Sequence, residues 1–319
     1  MIPVGSLFSG AIDGMALGFQ KASDRFQMLV SNEIDSAAVK THQLNYGHEI
    51  ITDDIRKVSV DQYVKLRDGV LVGTFPCQEY SKAAAIHKKG REDNWKQAYH
   101  HAIIQDLFLH FFRFVALVQP EVYLWENSPE IRNYPIVMET FRKLPPYDYY
   151  EMELDTKDFL LPQRRKRLFV VGFKRKFTPV SPVNFQVFDR QQTIRDIREE
   201  APVIDIPDYV KKRIDGGYRD LPSVKSDDDI GNTCVAHYAR DRGTTLIHAR
   251  PGEPEYKGLR PMTNREYARL MGIPDSFQFA CATTTNYRHI GNSVSPVVVE
   301  ALARMILPYF GSGQLQMAI

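Results

Sequence analysis

The sequence predicts an α/β protein in which helices flank a parallel sheet and a smaller, irregular unit is attached. Three observations predict it. Over the first two-thirds of the chain, short β-rich runs alternate with helical patterns, as in βαβ units. The unusual residues Ser9-Gly10, Glu33, Asp54, Pro76-Cys77 and Glu126-Asn127 fall at the ends of the expected strands, where ligands bind in such sheets. From about Lys174 to Gly258 the period is lost among prolines and an Asp227-Asp228-Asp229 run, which marks a loop-rich second unit.

The elements follow in order. Gly5 to Phe8 reads as a strand that enters a glycine turn, with a helix over Met15 to Ala22. Phe26 to Val30 is the next strand; Glu33 follows it, and then a helical stretch from Ala37 to Asn45. Gly69 to Val72 is apolar and runs into a Pro-Cys turn. His100 to Val118 has helical spacing, and Glu121 to Leu124 is a further strand. Leu168 to Gly172 is a strand entered from a basic run. Helical periodicity returns at Thr263 to Met271 and Val297 to Ile306.

Composition bounds the function classes. Of 319 residues, 43% are hydrophobic and 25% charged, with 41 Lys and Arg against 39 Asp and Glu, which excludes disordered and collagen-like chains. The three cysteines, Cys77, Cys234 and Cys281, form no C-x-x-C pair, so neither a disulfide framework nor a cysteine-rich zinc site is expected. No secretory signal is visible, and the greasy run Leu107 to Val118 is too short to cross a bilayer. A cytoplasmic location without membrane attachment is the expectation. A net charge of +2 is silent about nucleic acid, because a basic footprint can be local.

Four constellations can carry chemistry. In Phe8-Ser9-Gly10-Ala11-Ile12-Asp13-Gly14, glycines let backbone approach a nucleotide-like ligand, and Glu33 at the next strand end can accept from two ribose hydroxyls. The turn is not a G-x-G-x-x-G, which favours an adenosine-type ligand without phosphates over a dinucleotide; an ordinary tight turn is the competing explanation. Cys77, on a strand-to-helix turn between Pro76 and Gln78, is a candidate nucleophile, against the small buried hydrophobe that a lone cysteine usually is. Glu126-Asn127-Ser128-Pro129 puts a carboxyl group at the same sheet edge as a candidate general acid; a helix cap is the alternative. In Gln163-Arg164-Arg165-Lys166-Arg167, alternation puts Arg165 and Arg167 on one face, although a solvated charge cluster would read the same.

In order and spacing these residues resemble the DNA cytosine-5 methyltransferase family, and the resemblance spans nearly the whole chain. The glycine turn resembles its first motif, Asn32-Glu33-Ile34-Asp35 the second and Asp54-Ile55 the third. Pro76-Cys77-Gln78 with Ser81 resembles the catalytic motif, Glu126-Asn127 the ENV-type motif, and Gln163-x-Arg165-x-Arg167 the Q-x-R-x-R motif. Arg260 to Asp275 resembles the ninth motif, and Gly291-Asn292-Ser293-Val294-Ser295-Pro296 the tenth. The first motif is one residue longer than usual; Thr74 stands where glycine is common and Ser128 where valine is.

The resemblance implies a Rossmann-like methyltransferase sheet over 1–174 and 285–319, with a target recognition domain over 175–284. It implies S-adenosyl-L-methionine as cofactor, held by Phe8, Ser9, Gly10, Ile12, Gly14, Glu33, Ile34, Asp54, Ile55, Pro76, Asn292 and Val294. Cys77, Glu126, Arg165 and Arg167 are the implied catalytic set. Cys77 would attack carbon 6 of a flipped cytosine, Glu126 would bond its ring nitrogen, and Arg165 its carbonyl oxygen, with Arg167 and Asn127 orienting them. The implied partner of a monomer is double-stranded DNA, with a separately encoded restriction endonuclease in a bacterial or phage modification setting. Two alternatives compete. A tRNA enzyme of the same family usually carries a Cys-Phe-Thr signature, which this chain lacks, and an inactive DNA-binding homologue would be expected to have lost one of the four catalytic residues.

Overall fold

The computed structural model describes residues 1–76, 106–218 and 220–311. Seven strands form the main sheet: β1 (Ile2–Leu7), β2 (Phe26–Asn32), β3 (Glu49–Ile51), β4 (Val70–Gly73), β5 (Val122–Asn127), β6 (Asp148–Asp155) and β7 (Lys166–Phe173). Their order is β3-β2-β1-β4-β5-β7-β6. The first five run parallel, whereas β7 is antiparallel to both of its neighbours. The expected parallel direction thus holds for every strand but β7, the second from one edge. β6 and β7 pair as one long antiparallel ribbon over eight residue pairs, and two antiparallel strands need no helical crossover between them.

Helices α1 (Gly14–Ala22), α2 (Ser36–Asn45), α3 (Leu107–Val118) and α4 (Pro135–Arg142) follow the early strands. α5 (Ile194–Ile197) and α6 (Asp208–Ile214) belong to the irregular stretch. α7 (Asn264–Leu270), α8 (Thr283–Asn292) and α9 (Pro296–Ile306) close the described chain. Parallel strands are buried on both faces and read as continuous apolar runs. Val70 to Val72 and Val122 to Trp125 are accordingly inaccessible to solvent. One face packs on α1 and α9 through Met15, Phe19, Val299 and Leu302. The other packs on α3 and α4 through Phe111, Phe114 and Phe141.

α1 and α9 cross closely because Gly18 has no side chain: a Cβ there would lie 2.5 Å from the Val299 Cβ. The stretch Thr283–Phe310, which contains α8 and α9, is apolar enough by length and composition to cross a membrane. It is instead mostly buried within the protein.

The irregular segment contributes a small three-stranded sheet, ordered β10 (Leu259–Arg260), β9 (Thr245–His248), β8 (Ser223–Lys225). Its separate core is slight: Ile206, Val210 and Leu246 with four half-buried neighbours. Ile194, Ile197, Cys234, Tyr238, Ile247 and, from α7, Tyr267, Ala268 and Leu270 pack into the main core instead.

Candidate active site

Strand order reverses about β1, which lies between β2 and β4, and such a switch point opens a crevice at the carboxyl ends of the strands. A cavity of about 370 Å³ occupies that place. The twelve residues expected to hold a cofactor all line it: the Phe8 to Gly14 set, Glu33, Ile34, Asp54, Ile55, Pro76, Asn292 and Val294. Segments nearly three hundred residues apart in sequence thus meet on one wall.

The first loop leaves β1 with Phe8 at φ +57° and Gly10 at φ +66°, a left-handed conformation that glycine adopts without cost. A Cβ on Gly10 would meet nothing within 4 Å, so the backbone there faces open space. The Gly10 N–H donates to Glu33 Oε2 at 2.8 Å and the Asp35 N–H to Glu33 Oε1 at 2.7 Å. These bonds aim the carboxylate over the cavity and favour its charged form. Burial outweighs them and raises its proton affinity. Ile34 beside it is 63% exposed, an apolar side chain open to the cavity. Asp54 is held below the usual carboxylate range, first by the Arg56 N–H and also by the Arg56 guanidinium at 3.1 Å.

The sequence analysis did not single out two further lining residues, Arg288 and His289, which precede Asn292 on α8. Arg288 reaches across to Asp35, the cap of α2, at 3.1 Å. His289 is 6% exposed, and both its ring nitrogens are buried without a partner among the described residues. A buried imidazole in a cavity wall finds its hydrogen bonds in whatever fills the cavity. Helical spacing puts these residues on the face of Asn292, but α8 opens on three threonines and is polar on average, so it does not announce itself.

The catalytic set is divided. Cys77 lies outside the described residues. Its neighbour Pro76 lines the cavity, and the Asn127 amide donates to the Phe75 carbonyl at 3.0 Å, tying the approach to Cys77 to the end of β5. Glu126 lies on the strand itself, 8% exposed, and burial raises its proton affinity while Arg167 and then Arg165 lower it. Its partner is Arg167, whose Nε stands 3.1 Å from Glu126 Oε1.

Arg165 is used differently. Its guanidinium donates to the carbonyls of Cys234 at 2.6 Å, Ser293 at 2.8 Å and Gly291 at 3.2 Å, joining the irregular segment to the turn after α8. Gln163 makes the same kind of tie, donating to the Leu270 carbonyl and accepting from the Cys234 N–H. The resemblance gives Arg165 a base carbonyl and Arg167 an orienting part; here Arg165 donates to backbone carbonyls and Arg167 faces Glu126. Of the other cysteines, burial pushes the Cys234 thiol up to about 12, so it is inert.

Comparison with known proteins adds the following. The family model described as C-5 cytosine-specific DNA methylase matches residues 2–307. The type II methyltransferase M.NlaX of Neisseria lactamica is 29% identical, over 96% of this chain and 96% of its own. The type II methyltransferase M1.ScrFI of Lactococcus lactis subsp. cremoris is 30% identical, over 94% of this chain and 77% of its own. The structure of the Dnmt2 methyltransferase of S. pombe superposes with a TM-score of 0.76 at 20% identity, over 97% of this chain and 99% of that one, and this likeness concerns the fold.

Proposed function

The chain belongs to the C-5 cytosine-specific DNA methylase family and is a DNA cytosine-5 methyltransferase, and from that premise we propose how its residues perform the reaction. The single observation that carries the proposal is that Glu126, Arg167, Pro76 and the cavity wall converge at one sheet edge. The cavity suits S-adenosyl-L-methionine: it offers an acidic acceptor in Glu33, an exposed apolar face in Ile34, open backbone at Gly10 and two unpartnered ring nitrogens in His289. When bound, that cofactor supplies an electrophilic methyl group.

The protein's own part is to make carbon 5 of cytosine nucleophilic. A Cys77 thiolate adds to carbon 6, and the electron pair of the 5,6 double bond is pushed toward carbon 5 and the ring nitrogen. Glu126, whose burial favours a bound proton, donates to that nitrogen as charge develops. Arg167, beside it, donates to the cytosine carbonyl oxygen, while Arg165 holds the recognition segment and the turn after α8 in place. This exchanges the two arginine roles that the motif alone implies. After methylation the carbon 5 proton leaves, the double bond re-forms and the thiolate is expelled. The base has to leave the duplex to reach these groups.

Within 175–284, the part around α6 and β8 to β10, with its own small core at Ile206, Val210 and Leu246, is the proposed reader of double-stranded DNA. A type II modification role implies a separately encoded endonuclease that cuts the same site when unmethylated. The test is adduct formation on duplex DNA containing 5-fluorocytosine, where fluorine blocks the final elimination. A covalent complex through Cys77, absent in Cys77→Ser, is expected. Adduct on RNA alone, or persistent methylation by Cys77→Ser, would overturn the reading.

A further inference from the structure

Beneath the first loop, Asp13, His42 and His48 bring one carboxylate and two imidazoles together, their ligand atoms all within 4.8 Å of one another. They come from three separate places: the N-cap of α1, the last turn of α2, and the turn before β3. The methyltransfer reaction uses none of them. We propose that they form a binding site for a divalent metal ion of the zinc type, a brace under the loop that floors the cofactor cavity.

The geometry of the two imidazoles carries the inference. Their Nε2 atoms stand 3.3 Å apart, and the ring centroids 5.1 Å apart at an interplanar angle of 88°. Two imidazoles bound to one tetrahedral ion through Zn–N bonds of about 2.05 Å have nitrogens about 3.3 Å apart and ring centres about 5.2 Å apart. A straight N–H···N hydrogen bond at the same nitrogen separation would carry the centres to about 5.6 Å. The two nitrogens are within hydrogen-bond reach of each other, but the spacing of the ring centres matches the metal-bound arrangement more closely than the straight hydrogen bond.

The third ligand is placed to complete the set. Asp13 Oδ1 is filled by the Ala16 N–H and the Ser6 hydroxyl, whereas among the described residues Oδ2 accepts only from Ser31 Oγ, at 3.0 Å, which leaves it a lone pair there. Ser31 Oγ is also 2.8 Å from His48 Nε2, so it borders both groups, and its hydroxyl stays on Asp13 when a metal takes the lone pair of that nitrogen. Among the described residues no lysine or arginine forms an ion pair with Asp13. Burial keeps both imidazoles neutral, with lone pairs available to a metal.

Asp13 adopts φ 42° and ψ 64°, a left-handed conformation rare outside glycine, so the loop spends strain to turn this carboxylate down under the sheet edge. Its chain neighbours Ile12 and Gly14 line the cofactor cavity. The brace would fix that wall from below, whatever substrate the enzyme takes.

The test uses the untagged full chain, stripped with a chelator and titrated with Co²⁺. We expect saturation at one equivalent, visible ligand-field bands of a four-coordinate ion, and their loss when Zn²⁺ is added. Folded His42→Gln and His48→Gln should each weaken Co²⁺ binding at least tenfold. A zinc-soaked wild-type crystal should show anomalous density bonded to both Nε2 atoms, which decides the matter should the variants not fold. Absence of saturable binding by folded wild-type protein would overturn the proposal, as would a thiolate-to-cobalt charge-transfer band or undiminished binding by His48→Gln.

Discussion

Glu126 and the two arginines beside it show how residues on one strand face acquire different work. Arg167 lies against a carboxylate, whereas Arg165 meets three carbonyls contributed by distant segments. Lysine keeps the charge but not the planar fork that serves several acceptors at once. Arg165→Lys should therefore cost about 2 kcal/mol in urea unfolding, because buried carbonyls lose their donors. Arg167→Lys should leave stability nearly unchanged and lower kcat roughly 10²-fold, the usual cost of one misplaced donor at a developing charge. Equal losses of stability in the two variants would contradict the division of labour.

The Glu126 carboxyl also makes a pH prediction. Burial raises its proton affinity in the folded state above the ordinary glutamate value of 4.5. The folded protein thus binds this proton more tightly than the unfolded chain, and the stability this gives is present below pH 4.5 and lost as pH rises through the raised value. Glutamine undergoes no such loss. The difference in Tm, Glu126→Gln minus wild type, should grow more positive from pH 4.5 to 7; a flat or falling difference would show that Arg167 outweighs burial.

At the scale of elements, the positions of α1 and α9 decide the shape of the cofactor wall. α1 starts at the Gly14 end of the loop, and Val294, just before α9, touches Gly14 so closely that a Cβ would lie 2.1 Å from its carbonyl oxygen. Gly18 repeats the demand one turn further on, where a Cβ would also come within 2.7 Å of the Glu300 backbone nitrogen. Because backbone cannot yield as a flexible side chain can, Gly18→Ala should push the helices apart and cost about 2 kcal/mol in chemical denaturation. It should also raise the KM for the methyl donor, since Val294 moves with α9. Wild-type stability in this variant would show that the crossing tolerates a methyl group.

For the whole molecule, ion pairs tie the irregular segment together and to α7, whose Tyr267, Ala268 and Leu270 pack into the main core. Arg260 is inaccessible to solvent and pairs with Glu253 at 2.7 Å and with both oxygens of Glu266 on α7, at 2.7 and 2.8 Å. Arg198 links Glu253 in turn to Asp227, the first of the three consecutive aspartates. Breaking a buried pair strands an uncompensated charge, so Arg260→Ala should cost about 4 kcal/mol. The exposed pair of Arg190 with Asp196 should contribute less than about 1 kcal/mol. Comparable melting shifts in Arg260→Ala and Arg190→Ala would remove the argument that this network anchors the segment.

Much of this was legible in the order of residues. Capping, apolar period and turn chemistry are local, so α1, α2, α7, α9 and the strands β2 and β4 stand within a few residues of where the sequence puts them. The cavity wall was legible too, because motif residues at strand ends meet wherever the strands are parallel. What the chain by itself determined is the sheet, its family and the chemistry of its strand ends. Tertiary structure alone decided which arginine faces Glu126, that His289 lines the cavity, that β7 runs antiparallel, and that Asp13 meets two histidines some thirty residues away. Each of these depends on contacts between segments distant in sequence, such as Arg165 with Ser293, and side-chain alternation along one strand fixes a face without saying what stands opposite it.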